Sequence, residues 1–249
     1  MNIKEQLGKE LLFLDGGMGT LLQEQGLEAG ELPETWNIKY PDRITNVHRR
    51  YYEAGSHIVL ANTFGANACK FHDTEMTLES VIKAGIENAR KAGREAGRET
   101  YVALDVGPTG KLLKPMGDLS FEEAYETFAE VVRYGVKYGA DLIHIETMSD
   151  TYEVKAAVLA AKEHSELPVF VTMIFDEKGK LLTGGDVPSV VAMLEGLRVD
   201  AIGLNCGLGP EQALPILQEM RSYSSLPLIV KPNAGLPKQK DGQTYYDVE

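Results

Sequence analysis

The chain has 249 residues, of which 43% are hydrophobic and 25% are charged, a composition typical of a folded globular domain. Its formal net charge of −12 repels phosphate groups, which excludes nucleic acid as an expected partner and gives no attraction to anionic lipid. Two cysteines far apart do not make a disulfide framework, and the charged stretch 1–10 is unlike a signal peptide or a membrane anchor. We therefore expect a cytoplasmic protein without membrane contact.

Short apolar runs recur along the chain, and each is too short to be a helix. Nearly continuous apolar runs are typical of parallel strands that are covered on both faces. The seven predicted strands are Leu11–Asp15, His57–Asn62, Tyr101–Val106, Asp141–Thr147, Pro168–Phe175, Val199–Cys206 and Pro227–Asn233.

Helical patterns separate the predicted strands. The clearest are a helix from the capping box Ser120–Glu123 to about Tyr138, a helix from the cap Asp150 to about Glu163, and a helix with Pro210 in its first turn that ends near Tyr223. The alternation of strands and helices predicts a parallel α/β fold.

The number of strands leaves two architectures open. A closed (β/α) barrel of the commonest type has eight strands, whereas seven are predicted here, and the stretch 233–246 is predicted to be a loop. Either the sheet is open and doubly wound, or an eighth strand belongs to a part of the parent protein that is missing here. In both cases residues 1–249 are predicted to form one domain, because the chain contains no internal repeat or linker.

Polar and glycine-rich segments follow most of the predicted strands, where barrel enzymes keep their functional residues. Glycine lets a backbone approach a ligand closely, and its N–H group can hold a carboxylate. The segments are Asp15-Gly-Gly-Met-Gly-Thr20, Ala61-Asn-Thr-Phe-Gly-Ala66, Asp105-Val-Gly-Pro-Thr-Gly110, Glu146-Thr147, Asn205-Cys-Gly-Leu-Gly-Pro210 and Pro232-Asn-Ala-Gly235. Together they indicate a small polar ligand bound at one rim.

Single residues at these strand ends have two interpretations each. Glu146 ends an apolar strand, where a buried charge is costly unless it meets a cation, so it is a candidate for holding a ligand's ammonium. Asp15 is explained equally well by a tight turn, and His144 is interpreted as a core residue. Cys206 is either a small buried residue or one ligand of a metal site, and Cys69 lies in a helical stretch that is poorly placed to help.

Several motifs occur in a specific order along the chain. They are Asp15-Gly-Gly-Met-Gly-Thr20, Pro33-Glu-Thr-Trp-Asn37, His48-Arg-Arg-Tyr-Tyr-Glu-Ala-Gly55, Asn62-Thr-Phe-Gly-Ala66, Asp105-Val-Gly-Pro-Thr-Gly110 and Gly203-Leu-Asn-Cys-Gly-Leu-Gly-Pro210. Together they resemble the homocysteine S-methyltransferase family, which includes the N-terminal module of cobalamin-dependent methionine synthases. The resemblance extends from Leu12 to Gly235.

The resemblance implies a (β/α)₈ TIM barrel with about seven strand–helix units present here and the eighth missing. It also implies a zinc ion held by three cysteines, one after the sixth strand and two consecutive ones in a Gly-Gly-Cys-Cys-Gly segment at the eighth. Cys206 matches the first of these, and the consecutive pair is not in this sequence. The domain over 1–249 is therefore expected to be incomplete at its C-terminal end.

The same resemblance implies transfer of a methyl group to the zinc-bound thiol of homocysteine, which gives methionine. The substrate-binding residues it implies are Asp15, Gly16, Gly17, Asn62, Thr63, Phe64, Glu146 and Asn205, and Cys206 is the implied zinc ligand and catalytic residue. Methylcobalamin on a corrinoid protein or domain is the expected donor. Betaine, S-methylmethionine and aromatic O-methyl compounds stay open as alternatives.

Two rival functions remain on the residues alone. Lys231, late in the seventh predicted strand, could form a Schiff base in a lyase or aldolase on the same barrel. Alternatively, the chain is a module that binds homocysteine or a corrinoid partner without turnover, because two of three expected zinc ligands are absent from it.

Overall fold

Six parallel strands form one sheet in which neighbours follow each other in chain order. The computed structural model describes residues 3–71 and 75–235, and the backbone of 238–240 and 243–245. The strands of the sheet are β1 (Ile58–Leu60), β2 (Tyr101–Val106), β3 (Leu142–Met148), β4 (Val169–Met173), β5 (Ala201–Asn205) and β6 (Leu228–Lys231).

Helices alternate with these strands along the chain. They are α1 (Ile3–Gln6), α2 (Met18–Gln23), α3 (Trp36–Lys39), α4 (Pro41–Ala54), α5 (Leu78–Glu95), α6 (Phe121–Lys137), α7 (Thr151–His164), α8 (Val187–Gly196) and α9 (Pro210–Tyr223), with a short 3₁₀ helix at Pro33–Thr35. None of the helices within the described ranges is long and apolar enough to cross a membrane.

Successive side chains of each strand enter two different cores, because strand side chains alternate between the faces of a sheet. Val59 joins the large outer cluster between sheet and helices, whereas its neighbours Ile58 and Leu60 join a smaller inner cluster. Ile3 of α1 also packs in the inner cluster. The sheet thus curls around an apolar interior, and the predicted α/β fold of the TIM-barrel type is confirmed.

The first predicted strand is only partly formed. Of the run Leu11–Asp15, Leu14 alone makes a bridge, with Ile58 of β1, although the N–H group of Asp15 also donates to the Ile58 carbonyl at 3.0 Å. Leu11 and Phe13 are exposed, so this segment lacks the two covered faces that the apolar pattern suggested. The prediction of a full strand here was wrong because one-sided burial produces a similar run of apolar residues.

Local helix signals give the correct ends for three helices. Ser120 and Glu123 form a reciprocal capping box at α6, the side chain of Asp150 caps α7, and α9 begins at Pro210. Glu153, three residues after Asp150, takes no part in this cap. Its carboxylate accepts hydrogen bonds from the N–H group and the hydroxyl of Thr109, at 2.8 and 2.6 Å.

The stretch 233–246 differs from the predicted loop. Two short strands, β7 (Lys238–Lys240) and β8 (Gln243–Tyr245), pair antiparallel within it. The glycines and prolines that suggested a loop did not exclude so short a hairpin.

Close packing of two strand backbones fixes one glycine of the sheet. Gly203 of β5 lies opposite Ile229 of β6, and a Cβ atom at position 203 would collide with the Ile229 carbonyl oxygen and the Ile229 side chain. Any larger residue at position 203 must therefore push β6 away from β5. Lys231 lies at the end of β6.

We expect Gly203→Ala to lower the free energy of unfolding by roughly 2 kcal/mol or more, because overpacking against a backbone cannot be relieved by rotating a side chain. Urea denaturation of the variant and the parent protein measures this. Gly196→Ala is the matched control, since a Cβ atom there meets no neighbour within 4 Å. Equal stabilities of the two variants would contradict the packing argument.

Candidate active site

A cavity of about 740 Å³ lies between the segment 11–19 and β6 and reaches the carboxyl ends of β1, β2, β3 and β5. Its inner part is apolar, while its charged residues come mostly from strand ends. Among the described lining residues, the charged ones are Glu10, Asp15, Glu34, Asp105, Glu146 and Lys231. Five carboxyl groups therefore face one ammonium group.

Lys231 lies between two of the residues predicted to bind substrate. Its Nζ atom is 3.0 Å from Oε2 of Glu146 and 4.0 Å from Oδ1 of Asp15. The other Asp15 oxygen accepts a hydrogen bond from the backbone N–H of Leu60 at 2.8 Å. Side chains from the start of the chain, β3 and β6 thus meet in one ionic cluster.

Burial and neighbouring charges shift the proton affinities of this cluster. Burial raises the pKa of Asp15 to about 7, although the Lys231 charge and the Leu60 N–H group oppose the rise. Burial, with the field of Glu146, also holds the pKa of Asp105 well above its usual value. Burial tends to lower the pKa of Lys231. The attraction of the nearby carboxyl groups of Glu146, Asp15 and Asp105 is stronger than this effect and raises the pKa.

The raised pKa of Lys231 argues against the Schiff-base alternative. A lysine that attacks a carbonyl must lose its proton, and such lysines have a lowered pKa in apolar or cationic surroundings. Lys231 instead lies among carboxyl groups that favour its charged form. No described feature of the cavity supports a lyase or aldolase.

Asn205 connects the ends of β3 and β5. Its Oδ1 accepts a hydrogen bond from the Thr147 N–H group at 3.0 Å, and its Nδ2 donates to Thr147 Oγ1 at 2.7 Å and to Cys206 Sγ at 3.4 Å. Thr147 and Cys206 have positive φ angles of 61° and 55°, a backbone conformation that residues other than glycine rarely adopt. Asn205 therefore holds two strained residues in place beside the cavity.

Cys206 is exposed and lines the cavity, as expected for a candidate ligand. Partial burial and the nearby Glu146 charge raise the pKa of its thiol. Near neutral pH the sulfur is therefore protonated and is not an activated nucleophile by itself.

The predicted residues at the end of β1 take different positions. Asn62 and Phe64 line the cavity, but Thr63 is buried and is not among the lining residues. The Thr63 hydroxyl donates to the carbonyl of Asp105 at 2.8 Å and accepts from its N–H group at 3.1 Å. In this structure Thr63 joins β1 to β2 and acts on the cavity through Asp105.

The two predicted glycines form the exposed edge of the cavity. Gly16 and Gly17 follow Asp15 and lead into α2. The Tyr51 hydroxyl donates to the carbonyl of Gly17 at 3.1 Å, and a Cβ atom on Gly16 would come within 2.9 Å of that hydroxyl. The close approach of Tyr51 thus accounts for the glycine at position 16.

His144 takes the core position that was predicted from the sequence. His144 is fully buried, its Nε2 lies 3.2 Å from Thr172 Oγ1, and burial lowers its pKa well below the usual value. His48 is also fully buried, and His72 lies outside the described residues. His144 is therefore a core residue rather than a ligand.

Three acidic residues of the cavity, Glu10, Glu34 and Asp105, were not predicted as site residues. Asp105 is the last residue but one of β2, and a polar residue near the end of an apolar strand was a usable signal. Glu34 lies in the 3₁₀ helix, where it is buried, its Oε1 accepts from the Gly65 N–H group at 2.5 Å, and its Oε2 has no hydrogen-bond partner within the described part of the chain. Only the folding of 33–37 onto β1 brings Glu34 here, which no local pattern shows.

The curled parallel sheet and the cavity at its carboxyl edge define an α/β-barrel enzyme of the TIM type. The family model for homocysteine S-methyltransferases matches residues 12–249, and the chain belongs to that family.

Relatives of known name support this assignment. The methionine synthase of Mycobacterium leprae (strain TN) is 32% identical over 254 residues, which cover 95% of this chain and 21% of that protein. The methionine synthase of Mycobacterium tuberculosis is 31% identical over 252 residues, which again cover 95% of this chain and 21% of that protein. The chain thus spans about a fifth of the length of these relatives.

A solved structure matches the fold closely. The metallated form of the homocysteine methyltransferase MmuM from Escherichia coli has a TM-score of 0.84 and 26% identity, with 94% of this chain and 88% of that chain covered.

The described residues do not complete a zinc site. Structural and catalytic zinc ions need three or four protein ligands. Cys206 supplies one thiol, whereas Cys69 packs against the outer core. Within residues 3–71 and 75–235, no group of three or more His, Cys, Asp or Glu side chains is arranged to hold a metal ion.

We expect the purified chain to contain much less than one zinc per molecule after dialysis against a chelator, and Cys206→Ser to leave that content unchanged. The reason is that one thiol with a raised pKa binds zinc weakly. Atomic emission measures the metal. One zinc per chain that is lost in Cys206→Ser would instead show that residues outside the described ranges complete a site.

Proposed function

We propose that this chain binds homocysteine and presents its thiol for methylation, which gives methionine. The observation that carries the proposal is the position of the Lys231 ammonium, within 3.0 Å of Glu146 and 4.0 Å of Asp15. This geometry supports the view that an ammonium group can lie between the two carboxylates. A homocysteine molecule carries such a group two methylenes and one carbon from its sulfur.

The remaining site residues have matching roles in this proposal. Gly16 and Gly17 form the edge beside the amino-acid end of the substrate, and Asn62 and Phe64 form part of the wall. Asn205 keeps the Cys206 loop in its strained conformation. Thr63 contributes by fixing Asp105.

The thiol is the chemically demanding end of the substrate. Free thiols have a pKa near ~8.5, so homocysteine is mostly protonated and weakly nucleophilic at neutral pH. When bound, zinc would supply the stabilisation that a thiolate needs. We retain Cys206 as a proposed zinc ligand, and the resemblance implies that its partners are two consecutive cysteines that this sequence does not contain.

The methyl donor and its carrier are proposals based on the relatives. Methionine synthases of mycobacteria match this chain over about a fifth of their length, so they contain further segments in which donor binding can reside. We propose methylcobalamin on a corrinoid protein or domain as the donor. The net charge of −12 supports neither a nucleic-acid nor a membrane partner, and two free cysteines fit a reducing cytoplasm.

A second candidate is a binding module without turnover. The single thiol at the cavity favours it, because the described residues offer nothing that deprotonates a bound homocysteine. Formation of methionine by this chain, with zinc and a donor supplied, would separate catalysis from binding alone.

We expect Glu146→Gln to weaken homocysteine binding roughly 10- to 100-fold, since a charge-assisted hydrogen bond contributes about 1.5–3 kcal/mol. Isothermal titration calorimetry under reducing conditions measures the dissociation constant. Glu211→Gln, at an exposed position of α9, is the matched control. If wild-type protein does not bind homocysteine, the proposed function is wrong.

Binding of an ammonium ligand should also depend on the ionisation of Asp15, whose pKa is about 7. The charged groups facing it are Lys231, Glu146 and Asp105, with the Tyr51 hydroxyl nearby. Below pH 7 Asp15 is neutral and attracts ammonium poorly, so affinity should rise as the pH increases.

We expect the affinity for L-methionine to increase by up to about tenfold between pH 6 and pH 8, which follows the ionised fraction of Asp15. Methionine is used because it has no titrating thiol. Calorimetry in buffers of matched ionic strength gives the profile. Asp15→Asn should bind more weakly with a flat profile, and an unchanged slope in that variant would assign the titration to another group.

A further inference from the structure

The cavity has too few cations for the carboxyl groups around it. Of its described lining residues, five are acidic and Lys231 alone is basic. A ligand that carries a carboxylate would enter this acidic field at an electrostatic cost unless a cation meets it. Lys231 is the one described side chain of the cavity that can do so.

The backbone of Lys231 is fixed while its side chain has room to move. The Lys231 carbonyl accepts a hydrogen bond from the Cys206 N–H group at 3.0 Å, which continues the pairing of β5 with β6. Its side chain is 16% exposed and borders the open cavity. A lysine has four flexible bonds, so its ammonium can shift by several ångströms from a fixed backbone.

The present position of the ammonium conflicts with the binding of a second ammonium. Lys231 already pairs with Glu146 and lies near Asp15, and these are the carboxylates proposed to hold the substrate's amino group. Two ammonium groups cannot share that position, because like charges at such distances repel each other. Lys231 must therefore leave when an amino acid binds.

We propose that Lys231 recognises the α-carboxylate of an α-amino-acid substrate after the substrate's ammonium has replaced the Lys231 ammonium between Asp15 and Glu146. This rests on the proposed binding of homocysteine. An α-amino acid carries both charges on one carbon, so the displaced lysine finds the carboxylate beside its former position. One ion pair is exchanged for two, and the net charge of the cavity stays the same.

The role of Lys231 is tested with three thiols that differ only in the charged groups at one end. Homocysteine has both groups, 3-aminopropane-1-thiol lacks the carboxylate, and 4-mercaptobutanoate lacks the ammonium. Calorimetry compares their binding to wild type, to Lys231→Met and to Lys231→Arg. Lys155→Met, at an exposed position of α7, is the matched control.

We expect Lys231→Met to bind homocysteine roughly 10- to 100-fold more weakly, with Lys231→Arg keeping most of the affinity. Wild type should bind 4-mercaptobutanoate far more weakly than homocysteine, because this ligand has no ammonium to displace Lys231 from Glu146 and Asp15. The aminothiol should bind Lys231→Met at least as tightly as wild type, because no lysine competes with it. This opposite response separates carboxylate recognition from a folding defect, which would weaken all three ligands.

Two results would overturn the inference, and they are distinguishable. If wild type binds homocysteine but Lys231→Met loses affinity for homocysteine and the aminothiol equally, or for neither, Lys231 only neutralises the carboxyl groups and the inference alone fails. If wild type does not bind homocysteine, the proposed function and the inference fail together. Circular dichroism and thermal unfolding of each variant establish that the compared proteins are folded.

Discussion

The ion pair between Lys231 and Glu146 joins the end of β6 to the end of β3, and Asp15 at the start of the chain completes it. Buried charges are tolerated only when they are paired, so this contact requires that the three segments meet at one edge of the sheet. Parallel pairing from β1 to β6 in chain order produces that edge. The same arrangement brings Asp105 of β2 and Asn205 of β5 to the cavity.

Asn205 has a comparable role among the uncharged groups. It links Thr147 to Cys206 across β4, which lies between β3 and β5. The pair of residues Asn37 and Asn62 acts in the same way on the other side of the cavity, where Asn37 donates to the Asn62 carbonyl at 2.7 Å and Asn62 donates to Asn37 Oδ1 at 2.9 Å. These amides explain why two separate sequence motifs, at 33–37 and 62–66, occur together in one protein.

Features set by neighbouring residues could be predicted from the sequence, and features set by distant residues could not. The capping box at Ser120 and the proline at the start of α9 act within one helical turn, and both predictions were confirmed. The extent of the first strand depends on which of its faces other segments cover. The apolar run at 11–15 does not show this. The family resemblance directed attention to Asp15 and Glu146, whereas Glu34 reaches the cavity only through its hydrogen bond to Gly65, 31 positions later.

The acidity of the cavity restricts what it can bind. A ligand with a carboxylate alone would face five carboxyl groups, while a simple amine would compete with Lys231 for Asp15 and Glu146. The α-amino acid that we propose as the substrate meets both constraints, because it brings an ammonium for the carboxylates and a carboxylate for the lysine. The raised pKa of the Cys206 thiol adds a further condition. In the proposed function, a zinc ion bound near Cys206 would supply the activation of the substrate's thiol that the described residues do not supply. The proposed function therefore places recognition at the amino-acid end of the substrate and activation at its thiol end.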